Sequence, residues 1–135
     1  MSLDPELAAR AVTAAGDAIV TLDSTAKVSS WNEAAERLFG YSREEAMEHG
    51  LVLIIPEEYR ARHVAGFHKA MDSGKLAHGG AVARVEALTA SGERLVLGMS
   101  LGLLPVADGK PAGVVAVLRP LTGAAVEFVP AADDS

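Results

Sequence analysis

Cysteine is absent from the 135 residues. That removes disulfides, thiolate metal sites, cysteine nucleophiles, covalently attached c-type haem and cysteinyl-flavin photochemistry. An excess of positive charge is absent too. The formal charge is −6 and no Lys/Arg stripe appears, which argues against a nucleic-acid partner. Aromatic residues make up only 4% of the chain and Trp31 is the single tryptophan, so stacking surface is scarce. Long apolar runs are missing as well. The uncharged stretch from Leu95 to Ala107 is broken by Gly98, Gly102 and Pro105 and is too short to cross a bilayer. No Gly-rich phosphate cradle follows a strand, and no nucleophile elbow is present. His49, His63, His68 and His78 stand at spacings that match no common structural zinc site. Enzyme activity within this chain is therefore not expected. A cysteine-free acidic chain without a secretory start reads as cytosolic.

What is present is a globular composition: 50% of residues are hydrophobic and 22% are charged. The length fits one domain with a real core. Asp4-Pro5 reads as cap and first residue of a short helix, with Leu7, Ala8, Ala11, Val12 and Ala15 at helical spacing up to Gly16. Its small apolar face packs either on its own domain or against a second copy. Asp17–Asp23 and Lys27–Ser30 read as strands joined by turn chemistry at Asp23-Ser24-Thr25-Ala26. A helix follows with Ala35, Leu38 and Phe39 inward and Gly40 as its stop. Ser42 and Glu45 then form a capping box that opens another short helix. Asn-Glu and Glu-Glu pairs on these helices read as solvated faces.

The stretch from Pro56 to Ser73 predicts the longest helix. Pro56 suits its first position and Gly74 its stop. At about 100° per residue, Tyr59, His63, Gly66, Phe67 and Ala70 share one stripe. An imidazole in the middle of that stripe is either a core histidine with a satisfied hydrogen bond or an axial ligand to a buried cofactor. Beyond it, His78–Leu88 is a strand candidate and Ser91-Gly92 a hairpin turn. From Leu95 to Leu103 the odd positions are large and apolar, the period-two pattern of a strand with one face in the core. Gly98 and Gly102 on its other face mark either a close approach of another surface or a weakened strand. Gly113–Arg119 is the last strand, and 124–135 reads as a tail or linker.

Three runs carry a resemblance. Asp17-Ala18-Ile19-Val20-Thr21-Leu22-Asp23 is followed by Trp31-Asn32-Glu33-Ala34-Ala35-Glu36-Arg37-Leu38-Phe39-Gly40-Tyr41-Ser42-Arg43-Glu44-Glu45-Ala46, then by Ile54-Ile55-Pro56-Glu57. Together they resemble the first half of a PAS domain. The resemblance implies an α+β fold: a five-stranded antiparallel sheet in the order 2-1-5-4-3, short helices over one face and a ligand space between them. The boundaries would be a flanking helix at 1–16, the domain at 17–123 and the tail at 124–135. One departure concerns the end of the last strand. PAS domains often finish there with Asp-Ile-Thr or Asp-Leu-Thr after an Arg, whereas this chain has Arg119-Pro120-Leu121-Thr122. Pro120 removes the carboxylate and a backbone donor, which puts the usual coupling to a C-terminal coiled coil in doubt.

A narrower resemblance lies in Arg60-Ala61-Arg62-His63. It is similar to the run on the long helix of oxygen-sensing haem PAS domains of nitrogen-fixation histidine kinases, whose histidine binds the iron. The resemblance implies His63 as axial ligand to haem b and Arg84 as the group that senses a bound gas. It also implies Met99 and Leu101 as the distal wall, with Lys69 and His78 beside the propionates. Tyr59 and Phe67 complete the stripe around His63. The residues alone leave other readings open: an exposed Arg84–Glu86 ladder, His78 as a loop residue before Gly79-Gly80, and Met99 as plain core.

The expected function is a sensory module. It would bind a small molecule or haem, act as a homodimer and relay its state to an output domain such as the histidine kinase of a two-component system. The alternative is a cofactor-free interaction module with a filled core, dimerising through the N-terminal helix and the outer sheet face. A non-covalent flavin sensor is a third option, with little aromatic surface to support it.

Overall fold

The computed structural model describes residues 4–76, 82–105, 109–121 and 129–130. The first helix, α1 (Pro5–Ala14), carries Pro5 in its first turn and buries none of its residues fully. Strands β1 (Ala18–Asp23) and β2 (Val28–Trp31) form the first hairpin. Its turn is built on Asp23, whose carboxylate accepts from the Thr25 hydroxyl and from the amides of Thr25 and Lys27. These bonds, the Thr25 hydroxyl's foremost, hold the Asp23 carboxyl below its usual pKa.

Helices α2 (Glu33–Phe39) and α3 (Arg43–His49) follow. The capping box at Ser42 and Glu45 forms as the sequence implies. Gly40 ends α2 at φ +82°, and a Cβ there would press on Ala90 at 3.2 Å. The Ala90 amide donates to the Phe39 carbonyl, which fastens the tip of the second hairpin to the end of α2. The apolar run Leu51–Ile54 is a 3-10 turn, and Glu57–Tyr59 is another. The long helix α4 (Arg60–Ser73) therefore starts four residues after Pro56 rather than at it. Gly74 stops it in the left-handed conformation.

Strands β3 (Ala83–Leu88), β4 (Arg94–Leu104) and β5 (Gly113–Pro120) complete the predicted set. The five pair antiparallel in the expected order 2-1-5-4-3. A further two-residue strand, β6 (Val129–Pro130), runs parallel to β3 at its outer edge, inside the segment read as a tail.

Alternation decides the two faces of the sheet. Leu95, Leu97, Met99, Leu101 and Leu103 all pack on the core, as their period-two spacing requires. The opposite face carries Gly98 and Gly102. A Cβ at Gly98 would meet Leu121 and Val82, and one at Gly102 would meet Val115. At Gly98 the approaching surface is thus the chain's own, whereas Val115 is the β5 residue paired with Gly102 in the sheet.

The core joins Trp31, Phe39, Ile54, Phe67, Met71 and Leu97 with Val20, Leu22 and Leu118. Phe39 and Leu97 have no exposed surface. The Trp31 and Phe39 rings lie 5.4 Å apart and tilted, and the Trp31 Nε1 donates to the Tyr41 carbonyl. That satisfies the indole's one polar atom while its body fills the interior.

Candidate functional site

The stripe of α4 that turns inward holds Phe67, Ala70 and Met71, all buried. Met71 replaces Gly66, which is exposed. His63 lies one turn before Phe67 on this side and is half-buried. Its imidazole makes no hydrogen bond with any described residue. The satisfied core histidine of the first reading is therefore not what is seen. Burial alone pushes the His63 pKa below its ordinary value, so the ring is neutral near pH 7.

This has a consequence for stability. The unfolded chain takes up a proton near the usual histidine pKa of 6.5, before the folded one does. His63 thus contributes stability that is present above pH 6.5 and is lost as pH falls through its lower folded value. Urea midpoints measured from pH 7.5 down to pH 5 are expected to drop more steeply in the wild type than in His63→Gln. Parallel curves would mean that the imidazole is solvated like that of the unfolded chain.

The neighbours of His63 on α4 have other work. Arg60 donates to the carbonyls of Ile55 and Val52, tying the start of the helix to the Leu51–Ile54 turn. Arg62 stacks over the Tyr59 ring, with 5.9 Å to its centroid. The N-terminal end of α4 is clasped to the second hairpin: Arg94 bridges Glu58 at 2.8 Å and Glu86 at 3.0 Å. Arg94 holds the Glu58 carboxyl below its ordinary pKa, and the two carboxylates raise that of Arg94.

The remaining predicted residues divide. Phe67 is in the core, and Met99 and Leu101 sit on the core face of β4, as expected of an apolar wall. Tyr59 is half-buried at the end of the 3-10 turn before α4. Lys69 is exposed on the outer side of α4. Arg84 is also exposed and stands opposite Gly98 in register, on the outer face of the sheet. Its neighbours Ala83 and Val85 take the core side. Arg84 and the Met99–Leu101 wall thus face opposite ways, so the distal arrangement is not assembled. His78 lies outside the described residues.

A haem fits this donor set in part. His63 offers a neutral nitrogen suited to an axial bond. Arg84 and Lys69 do not share its side. Trp31, Phe39, Phe67 and Leu97 fill the adjoining interior. No group of three or more His, Asp or Glu residues among the described ones is arranged to hold a metal ion.

Concavities occur elsewhere. A shallow groove of about 230 Å³ runs between the start of β1, α2 and the end of β5, lined by Gly16, Asp17, Ala18, Ala34, Arg37, Leu38, Leu118 and Pro120. Another dip lies on the outer side of α1 against Glu6, Ala9, Arg10 and Thr13. Neither includes His63.

The sequence reading missed Asn32. Taken there as part of a solvated face, it is the one buried polar residue of the described chain. Its Oδ1 accepts from the amides of Ile19 and Ala35, and its Nδ2 donates to the carbonyls of Val12 and Asp17. The position before Glu33 signals a helix cap, which accounts for the Ala35 bond alone.

A sheet in the order 2-1-5-4-3, with short helices over one face, defines the α+β class of this domain. The profile of the PAS fold matches residues 6–125, and the chain belongs to that family. No curated protein matches it in sequence. Solved structures do match in fold. A PAS domain from Colwellia psychrerythraea is 19% identical, with a TM-score of 0.73 over 87% of this chain and 97% of that one. A PAS domain from a two-component sensor histidine kinase is 19% identical, with a TM-score of 0.66 over 86% and 95%. An RNA-binding Light-Oxygen-Voltage receptor is 21% identical, with a TM-score of 0.69 over 86% of this chain and 33% of that one. No helix among the described residues is long and apolar enough to cross a membrane.

Proposed function

We propose that this chain is the ligand-binding input module of a cytoplasmic signalling protein. A small molecule or planar cofactor engages His63 on the inward side of α4. The resulting shift of α4 and the sheet is relayed to an output domain, such as a histidine kinase, or to a second copy of the chain. Domain boundaries at 17 and 123 follow from the same reading. The observation that carries it is the half-buried imidazole of His63, beside Phe67 on the inward side of α4 and without a hydrogen-bond partner among the described residues. Its nitrogens keep some access to solvent, so a neutral ring nitrogen there is suited to an external partner. Binding there favours whichever arrangement of α4 holds the ligand better.

Haemin is the probe of choice, because an axial bond to a neutral imidazole has an optical signature. Titrating the purified chain with haemin is expected to give a saturable Soret band that is lost or strongly shifted in His63→Ala. A folded wild type without a saturable band would overturn the haem form of the proposal. The filled interior, with Phe39 and Leu97 wholly enclosed, would then favour the second reading. That reading is a cofactor-free interaction module docking through α1 and the outer sheet face.

A further inference from the structure

The N-terminal helix is held by very little. No residue of α1 is fully buried, and Leu7 is 56% exposed. A helix of ten residues does not hold itself together in water. It needs an attachment, and the structure supplies one at its C-terminal end. The Asn32 Nδ2 reaches the Val12 carbonyl at 2.8 Å, twenty residues back along the chain. Val12 lies in the last turn, where its carbonyl otherwise receives only the long bond from the Ala15 amide at 3.4 Å. The same nitrogen bonds the Asp17 carbonyl at 3.1 Å.

The carboxylate of Asp17 faces the other way along the chain. It accepts from Arg119 Nε at 3.2 Å and from Arg119 Nη2, on the penultimate residue of β5. Two residues later, the Leu121 amide donates to the Val96 carbonyl at 3.1 Å, and the Leu121 side chain lies over Gly98. Asp17 is therefore joined to the end of α1 by its carbonyl, through the shared Asn32 Nδ2, and to the end of β5 by its side chain. Asn32 holds that segment in place.

We propose that Asn32, Asp17 and Arg119 form a latch that makes the docking of α1 and the seating of the C-terminal end of β5 mutually dependent. Such coupling is reciprocal: what loosens one end loosens the other.

The amide is the working part of Asn32, and Asn32→Asp isolates it. The carboxylate retains the acceptor for Ile19 and Ala35, so the cap of α2 survives. Its second oxygen, however, faces the carbonyls of Val12 and Asp17 without a proton to give. Carbon-13 Cα shifts of residues 5–14 are expected to move from helical to coil values in this variant. Exchange of the Leu121 amide, remote from the substitution, is expected to accelerate by at least about tenfold. The reciprocal arm is Arg119→Glu, a change at an exposed side chain, which repels Asp17 and is expected to reduce the helical shifts of 5–14. Unchanged shifts of 5–14 in Arg119→Glu, or unchanged Leu121 exchange in a folded Asn32→Asp, would overturn the proposal. If Asn32→Asp does not fold, Arg119→Glu decides alone.

Discussion

Gly113→Ala is expected to cost the fold more than alanine at any other described glycine. The residue opens β5 at φ +152°, a conformation that side chains disfavour. A Cβ there would overlap the carbonyl oxygen of Leu22 and press on the Cα of Asp23 at 3.0 Å. Both atoms are backbone of β1, so no side chain can swing aside. Relief requires moving one strand off the other where Asp23 pairs with Gly113. Losses of roughly 4 kcal/mol or more come from clashes of this kind, a large share of the total stability of a domain this size. The urea midpoint, read from Trp31 fluorescence, is expected to collapse or the protein to be recovered unfolded. Gly109→Ala is the control: its φ is +81° but the space around it is open, so about 1 kcal/mol is expected. Equal effects at the two glycines would show that β1 and β5 are not this close.

Phe39→Ala is the second large effect. The ring is wholly enclosed and packs on Trp31, at the end of the helix whose last carbonyl also receives the Ala90 amide. Truncation removes the transfer free energy of the ring and leaves a cavity that α2, pinned by Asn32 and Gly40, cannot easily close. The expected cost is about 3–5 kcal/mol. Leu38→Ala, at a partly buried neighbour, is expected to cost clearly less, because that side chain keeps some contact with solvent. Thermal unfolding of the two variants side by side checks this. A midpoint for Phe39→Ala within a few degrees of wild type would mean that the core around Trp31 rearranges to fill the hole.

The sheet was legible because its strands obey simple rules. The alternation from Leu95 to Leu103 assigned the core face of β4 residue by residue, and short turns dictated antiparallel partners for β3, β4 and β5. The Ser42–Glu45 box and the Gly40 and Gly74 stops are local signals, set by the hydrogen bonds a helix end lacks. The candidate site was less legible for a physical reason. Which way a strand residue points depends on register, and spacing carried over by resemblance does not fix it. Arg84 alternates with Ala83 and Val85, and those two take the core. Asn32 was hidden differently. A side chain that bonds residues before and after it in the chain looks like any helix cap until the chain has folded back.

The place of β5 in the sheet has a consequence for how the chain comes together. This last of the five long strands lies between β1 and β4, so the β1–β2 and β3–β4 hairpins share no strand ladder without it. Ala18 finds its partner in Leu118, about three quarters of the chain length away. During synthesis both hairpins therefore wait with open edges until the final segment emerges, and closing so long a loop slows the joining step. A chain stopped before Gly113 would be two hairpins with exposed edges, each free to pair with another copy.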